Sequence, residues 1–186
     1  MTRITAIAGS LRKASFNLGL ANAAREMAPE GVTVTVHTLH GIPLYDGDAE
    51  AAHGIPDAVV NLKEAILASD AVLLVTPEYN NGIPGVFKNA IDWLSRPSGD
   101  IPKIFGNRPF GVIGASPGGF GTILSQNAWL PVLRTLGTNT WFGGRLMVSR
   151  AGQAFDADGH LTDQATRDQL AKYLAGFAAF AGSSRM

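Results

Sequence analysis

The sequence predicts an α/β domain in which helices cover both faces of a five-stranded parallel sheet with the strand order 2-1-3-4-5. Short apolar runs alternate with helix-length segments along the chain, as in sheets built from right-handed crossovers. The runs are continuous, as "AVLLV" at residues 71–75 illustrates, which is typical of strands buried on both faces. Five such units fill the 186 residues without a linker, so we predict one domain over residues 1–186.

Each predicted element follows from its local pattern. Val- and Ile-rich runs predict strands at Arg3–Ala8, Thr33–His37, Ala71–Thr76, Phe110–Gly114 and near Arg145–Val148. The segments between and after them predict helices at Asn17–Ala28, Asp57–Ala68, Pro84–Leu94, Thr122–Leu136 and Asp163–Ala181. A proline suits the first turn of the third of these helices, because its missing N–H needs no partner there. The count and order are those of a flavodoxin-like, doubly wound fold.

The composition argues against several classes of function and partner. The chain has 15 basic and 15 acidic residues, so nothing favours a nucleic-acid partner, which would require a basic face. It contains no cysteine, which excludes disulfides, thiolate catalysis and cysteine-ligated metals, so redox chemistry would need a bound cofactor. No apolar run reaches the roughly 20 residues of a membrane span, and the first apolar run is too short for a signal peptide. We therefore expect no membrane partner and a cytoplasmic location.

The stretch "GSLRKASFN", residues 9–17, follows the first strand and combines hydroxyls, an amide and positive charge. Ligands of parallel sheets bind beyond the carboxyl ends of the strands, where the next helix directs its N-terminal N–H groups. Ser10, Arg12, Ser15 and Asn17 offer the several donors that a terminal phosphate requires. The loop has neither the dinucleotide nor the NTPase glycine pattern, so a mononucleotide is favoured. The alternative is that Ser15 or Asn17 only caps the helix.

Two further loops follow the third and fourth strands. "TPEYNNGIPGVFKNAIDWLSRP", residues 76–97, offers an aromatic side chain, two amides and backbone donors to a flat heteroaromatic ring. "SPGGFGT", residues 116–122, has glycines that permit close approach of a ligand to the backbone. Because the loops after strands one, three and four converge on one crevice, we favour ligand binding over capping alone.

These three stretches resemble the NADPH-dependent FMN reductase family, and within it the bacterial chromate and quinone reductases. The resemblance extends from Ile4 to about Val148 and is most specific in the second stretch. It implies that the phosphate of FMN is held by Ser10, Arg12, Ser15, Phe16 and Asn17. It implies that the flavin ring is lined by Pro77, Glu78, Tyr79 and Asn80 and touched from the third loop by Ser116 and Gly119.

The resemblance also implies an activity. NADPH, or NADH, would pass a hydride through bound FMN to a quinone, chromate or a similar small acceptor by a ping-pong mechanism. No catalytic acid is expected, since solvent protons reach a reduced quinone. The family further implies a homodimer or homotetramer with the site at the dimer interface.

Several alternatives stay open from the sequence. A flavodoxin-like electron carrier without its own NADPH activity is one, although such carriers are usually acidic and this chain is neutral. A regulator that has lost its ligand is another. Glu78 is interpreted more readily as a carboxylate that structures its loop than as a ring contact. The acidic stretch "FDADGHLTD", residues 155–163, lacks the spacing of a calcium loop, so no metal site is predicted.

Overall fold

The computed structural model of the chain describes residues 1–184, and its centre is a parallel sheet in the order β2-β1-β3-β4-β5, with the short β6 also pairing with β4. The strands are β1 (Thr2–Ala8), β2 (Val32–His37), β3 (Ala71–Val75), β4 (Pro109–Ala115), β5 (Asn139–Thr140) and β6 (Met147–Val148). The predicted fold class and strand order are confirmed. Because every pairing is parallel, all strands end at one edge of the sheet, and the three loops emerge there.

Seven α-helices occur in the described part of the chain. They are α1 (Phe16–Glu26), α2 (Gly47–His53), α3 (Asp57–Leu67), α4 (Gly85–Leu94), α5 (Ile101–Ile104), α6 (Ile123–Thr135) and α7 (Gln164–Ser183). Apolar side chains of α1 and α7 bury one face of the sheet, and those of α3, α4 and α6 bury the other. No helix in residues 1–184 is long and apolar enough to cross a membrane.

The fifth strand differs from the prediction, because two short pieces replace one run at Arg145–Val148. β5 pairs with the start of β4 and β6 pairs with its end, and residues 142–145 make no backbone hydrogen bond to β4 between them. The Trp141 ring lies at the start of this interruption and packs edge-on against Tyr173 with ring centroids 4.8 Å apart. A Cβ at Gly143 would lie 2.5 Å from the Trp141 ring, so only glycine fits beside the indole at this position.

Helix α2 was absent from the sequence prediction, and the structure explains why. It buries none of its residues, so it has no apolar face for a pattern to reveal. Polar contacts hold its segment on α4 instead: Trp93 Nε1 donates to Pro43 O at 2.9 Å, and Arg96 Nε donates to Glu50 Oε2 at 2.9 Å. The hydrogen bond from Arg96 lowers the pKa of Glu50. Trp93 is almost fully buried.

Candidate functional site

The first loop starts where β1 ends and is fixed there by the centre of the sheet. Gly9 N donates to Val75 O at 2.9 Å, and a Cβ at Gly9 would lie 2.2 Å from the Phe87 ring. Only glycine therefore lets the loop leave β1 this close to α4. Ser10 is buried, and its Oγ lies 3.4 Å from the hydroxyl oxygen of Tyr79, which joins the first loop to the loop after β3.

Arg12 and Ser15 remain available to an anion. The Arg12 side chain is exposed and makes no hydrogen bond or ion pair within residues 1–184. Ser15 is the N-cap of α1, with its Oγ accepting from Leu18 N at 3.3 Å, so the capping interpretation holds for this residue. A hydroxyl that accepts one bond still has its own proton to donate, so capping and anion binding are compatible at Ser15.

The side chains of Asn17 and Phe16 contact other parts of the fold, and their part in phosphate binding stays a prediction. Asn17 is buried and bonds the backbone of Ala115 twice, with Nδ2 donating to the carbonyl at 2.8 Å and Oδ1 accepting from the N–H at 2.9 Å. The Phe16 ring packs on Phe155 with centroids 5.5 Å apart. Both residues also have backbone N–H groups at the start of α1 that can serve an anion.

Glu78 structures the loop after β3, as the alternative interpretation expected. Its Oε2 accepts from Leu124 N at 2.8 Å and from Ser125 N at 3.0 Å. These are N–H groups of the first turn of α6, whose own N-cap, Thr122, makes no side-chain capping bond. A carboxylate at a helix N-terminus is favourable for both hydrogen bonding and the helix dipole. Glu78 thus ties the second loop to α6, and its Oε2 is committed to that contact.

Tyr79 begins a tight two-residue turn that presents its ring. Tyr79 and Gly82 exchange backbone hydrogen bonds of 3.2 and 3.0 Å across Asn80 and Asn81. Both asparagines have left-handed backbones, with φ of 49° and 62°, which is the pattern of a type I′ turn. Asparagine tolerates this conformation better than most residues, which explains the "NN" pair. Tyr79 is 45% exposed, and its hydroxyl lies beside Ser10 of the first loop, so the ring is available to a ligand at this edge.

The third loop is held open by backbone contacts. Ser116 Oγ accepts from Gly118 N at 3.2 Å, which folds the loop back on itself. Gly118 O accepts from Arg150 N at 3.0 Å, so the segment after β6 supports the loop from behind. Gly119 has nothing within 4 Å of an added Cβ, and its side of the loop faces open space. The structure therefore places Ser116 and Gly119 at the same sheet edge as the first two loops.

A buried polar group beneath the second loop escaped the sequence prediction. Thr76 Oγ1 donates to Pro77 O at 2.8 Å and accepts from Trp129 Nε1 at 3.2 Å. Ser125 Oγ, 2.9 Å away, donates to the same oxygen, since the proton of Thr76 is already used. This arrangement fixes the start of the second loop on α6. The spacing of Ser125 and Trp129, four residues apart on one helix face, was the only sequence signal for it.

Away from the crevice, three exposed groups lie close enough to share a cation. Ligand atoms of Asp156, Asp158 and His160 lie within 4.8 Å of one another. Asp156 Oδ1 accepts from the backbone N–H of both other residues, and the bond from His160 N lowers the pKa of Asp156. The carboxylate therefore closes a turn before α7. The absence of a metal site stays a prediction from the sequence.

Comparisons with known proteins agree on one family. The family model for NADPH-dependent FMN reductase matches residues 2–153. An NAD(P)H-dependent FMN reductase of Pseudomonas aeruginosa is 39% identical over 172 residues, covering 92% of this chain and 91% of that protein. A 2-hydroxy-1,4-benzoquinone reductase of a Burkholderia species is 33% identical over 184 residues, covering 99% and 98%. The solved structure of FerB, a flavoenzyme NAD(P)H:(acceptor) oxidoreductase of Paracoccus denitrificans, superposes with a TM-score of 0.85 at 35% identity and 99% coverage of both chains.

The chain belongs to the NADPH-dependent FMN reductase family. The resemblance carried by its three loops is confirmed, and FMN and NAD(P)H are the cofactor and co-substrate of this family of enzymes.

The donor set of the crevice fits an FMN phosphate. Residues 9–17 carry two cations, two hydroxyls and no carboxylate, and the α1 N-terminus adds unpaired N–H groups. A dianion in this position would find several donors and no like charge. The second loop, with its exposed Tyr79 ring and backbone polar groups, suits a flat ring at the other end of the crevice. The chain therefore has donors suited to the phosphate of FMN and a loop suited to its ring.

Proposed function

We propose that this protein is an NAD(P)H-dependent FMN enzyme that reduces quinones, with FMN bound across the carboxyl ends of β1, β3 and β4. One observation carries the proposal: a donor-rich loop without carboxylates and an aromatic turn meet at one sheet edge, joined by the contact of Ser10 with Tyr79. The relatives whose names specify quinone reduction support the choice of acceptor.

At the phosphate end, four groups would hold the cofactor. Arg12 would supply the full positive charge and a forked set of donors. The hydroxyls of Ser10 and Ser15 and the backbone N–H groups that open α1 would complete the shell. Ser10 accepts from Arg12 N at 3.3 Å, which leaves its own proton for the ligand or for Tyr79. These groups would bind and orient FMN and would take no part in the electron transfer.

At the ring end, Pro77 to Asn80 would line one side of the flavin and Ser116 and Gly119 the other. Bound FMN would supply the two-electron chemistry, taking a hydride from NAD(P)H and delivering the electrons to the acceptor. Glu78 would keep the turn in place through α6, and Thr76 would fix its start. The open space beside Gly119 would leave room for a flat partner, nicotinamide or quinone, to approach.

A single opening serves both partners in this proposal. We infer that nicotinamide and acceptor would occupy it in turn, which corresponds to ping-pong kinetics. An opening of this kind would select acceptors by flatness and reducibility, and chromate belongs to the acceptors worth testing. No protein acid is assigned, because solvent reaches the opening.

We further infer a homodimer, or a pair of dimers, with the crevice at the dimer interface. Support comes from apolar side chains that the single chain leaves uncovered beside the third loop, namely Phe120 at 85%, Ile123 at 45% and Leu124 at 44% exposure. Adjacent apolar exposure of this kind is typical of protein contact surfaces. A cytoplasmic location stays a prediction from the sequence.

Enzyme assays of the purified protein test this function. We expect protein that binds FMN, oxidises NADPH or NADH when a benzoquinone is added, and gives parallel double-reciprocal plots when both substrates are varied. Protein that binds FMN but leaves it oxidised on rapid mixing with NADPH and NADH would be an electron carrier instead. Colourless protein that takes up no added FMN would contradict the proposal altogether.

A further inference from the structure

His40 lies in the turn after β2, on a loop that neither the family resemblance nor the crevice accounts for, yet its ring contacts the first loop. Nε2 lies 3.2 Å from Leu11 O, and Nδ1 lies 3.1 Å from Thr38 Oγ1. A carbonyl oxygen only accepts, so Nε2 carries a proton and donates to Leu11 O. In the neutral ring, Nδ1 then accepts from the Thr38 hydroxyl. Thr38 orients the imidazole, and the imidazole holds the loop.

The hydrogen bond from His40 differs from the other contacts of the first loop because it reaches the exposed part of that loop. Residues 11–14 are all exposed. Within residues 1–184, the bond from His40 is the one hydrogen bond that reaches them from outside residues 9–17, since Arg12 N bonds Ser10 of the same loop. The loop is otherwise fixed only at its two ends, by Ser10 and by the Ser15 cap. His40 therefore anchors the exposed segment, residues 11–14, that contains Arg12.

We propose that His40 is a positioning residue for phosphate binding and raises the preference of the protein for FMN over riboflavin. The inference rests on the proposed function, because it takes the first loop as the phosphate site. A loop that must be ordered on binding loses conformational entropy at that moment, and a loop already held loses less. The hydrogen bond to Leu11 thus improves binding of the phosphate, which contacts residues 11–14. Binding of the ring is unaffected, because the other loops hold it.

Binding titrations with two flavins separate this role from a merely structural one. The full-length protein, stripped of flavin, is titrated with FMN and with riboflavin, following flavin fluorescence. For His40→Ala we expect the Kd for FMN to rise about threefold to tenfold, the effect of one hydrogen bond, and the Kd for riboflavin to stay within about twofold. His40→Gln, whose amide can donate to Leu11, should recover part of the FMN affinity. His53→Ala, an exposed histidine of α2 without a side-chain hydrogen bond in residues 1–184, is the matched control.

Arg12→Ala separates the two levels of the proposal. If Arg12→Ala weakens FMN selectively while His40→Ala leaves FMN affinity unchanged, the phosphate site stands and the role of His40 is refuted. Equal weakening of FMN and riboflavin by His40→Ala also refutes it, because the effect would not concern the phosphate. If Arg12→Ala leaves FMN affinity unchanged, the first loop is not the phosphate site, and both proposals fall together.

Discussion

Arg12 is the residue on which phosphate binding depends most. Its side chain is exposed and makes no hydrogen bond or ion pair within residues 1–184, and hydrogen bonds to charged groups contribute about 1.5–3 kcal/mol each. We expect Arg12→Ala to weaken FMN roughly tenfold to a hundredfold, measured as FMN retained on dialysis or by titration. Lys13→Ala, which removes the neighbouring exposed charge, is the control and should cost much less. Equal losses for the two variants would mean that only general positive charge matters.

Asn17 makes a structural contact that its place in the first loop did not reveal. Its side chain satisfies both backbone groups of Ala115, at the end of the neighbouring strand β4. Asn17→Ala would leave a buried N–H and a buried carbonyl without partners, so we expect the free energy of unfolding to fall by about 2–4 kcal/mol. Urea denaturation measures this, with the exposed Asn127→Ala expected within about 0.5 kcal/mol of the parent. A neutral Asn17→Ala would show that the side chain points elsewhere.

At the scale of elements, the second loop and α6 behave as one unit. Glu78 caps α6 from a distance, and Thr76 joins Ser125 and Trp129 of the same helix below it. A shift of α6 would therefore move the turn that presents Tyr79. The ring end of the crevice is positioned by a helix rather than by the loop alone.

The Glu78–α6 contact gives a prediction that differs from the one for Arg12. We expect Glu78→Gln, which loses the charge at the helix N-terminus, to lower the free energy of unfolding by about 1 kcal/mol. It should also weaken FMN and riboflavin by the same factor, because the ring turn loosens while the phosphate loop is untouched. Glu30→Gln, at an exposed carboxylate without side-chain hydrogen bonds in the described chain, is the control. Selective loss of FMN would instead assign Glu78 to the phosphate.

The elements that could be predicted are those whose burial leaves a pattern. β1, β3 and β4 are mostly apolar and almost entirely buried, so their positions followed from sequence. Helix α2 buries nothing, and the break between β5 and β6 lies beside Trp141, whose partner Tyr173 is 32 residues away. The loops were located by their composition, but the partners of Asn17 and Glu78 lie 98 and 46 residues away, beyond any local pattern.

At the scale of the whole molecule, assembly would complete the crevice. The apolar side chains beside the third loop lie on the same sheet edge as the crevice, and Phe120 is 85% exposed. By light scattering after gel filtration we expect twice or four times the mass of the chain. Phe120→Ser should shift this toward the single chain and lower turnover. Leu67→Ser, 50% exposed at the end of α3, on the opposite edge of the sheet, should do neither. A parent protein that is monomeric and fully active would contradict the dimer.

The central claim is that one crevice holds FMN with its phosphate on the first loop and its ring against the turn at Tyr79. A crystal structure of the protein with FMN tests it most directly. The account predicts phosphate oxygens within hydrogen-bonding distance of Arg12, Ser15 and the N-terminus of α1, with the ring between residues 77–80 and the third loop. FMN bound elsewhere, or bound in this crevice with the phosphate away from residues 9–17, would contradict it.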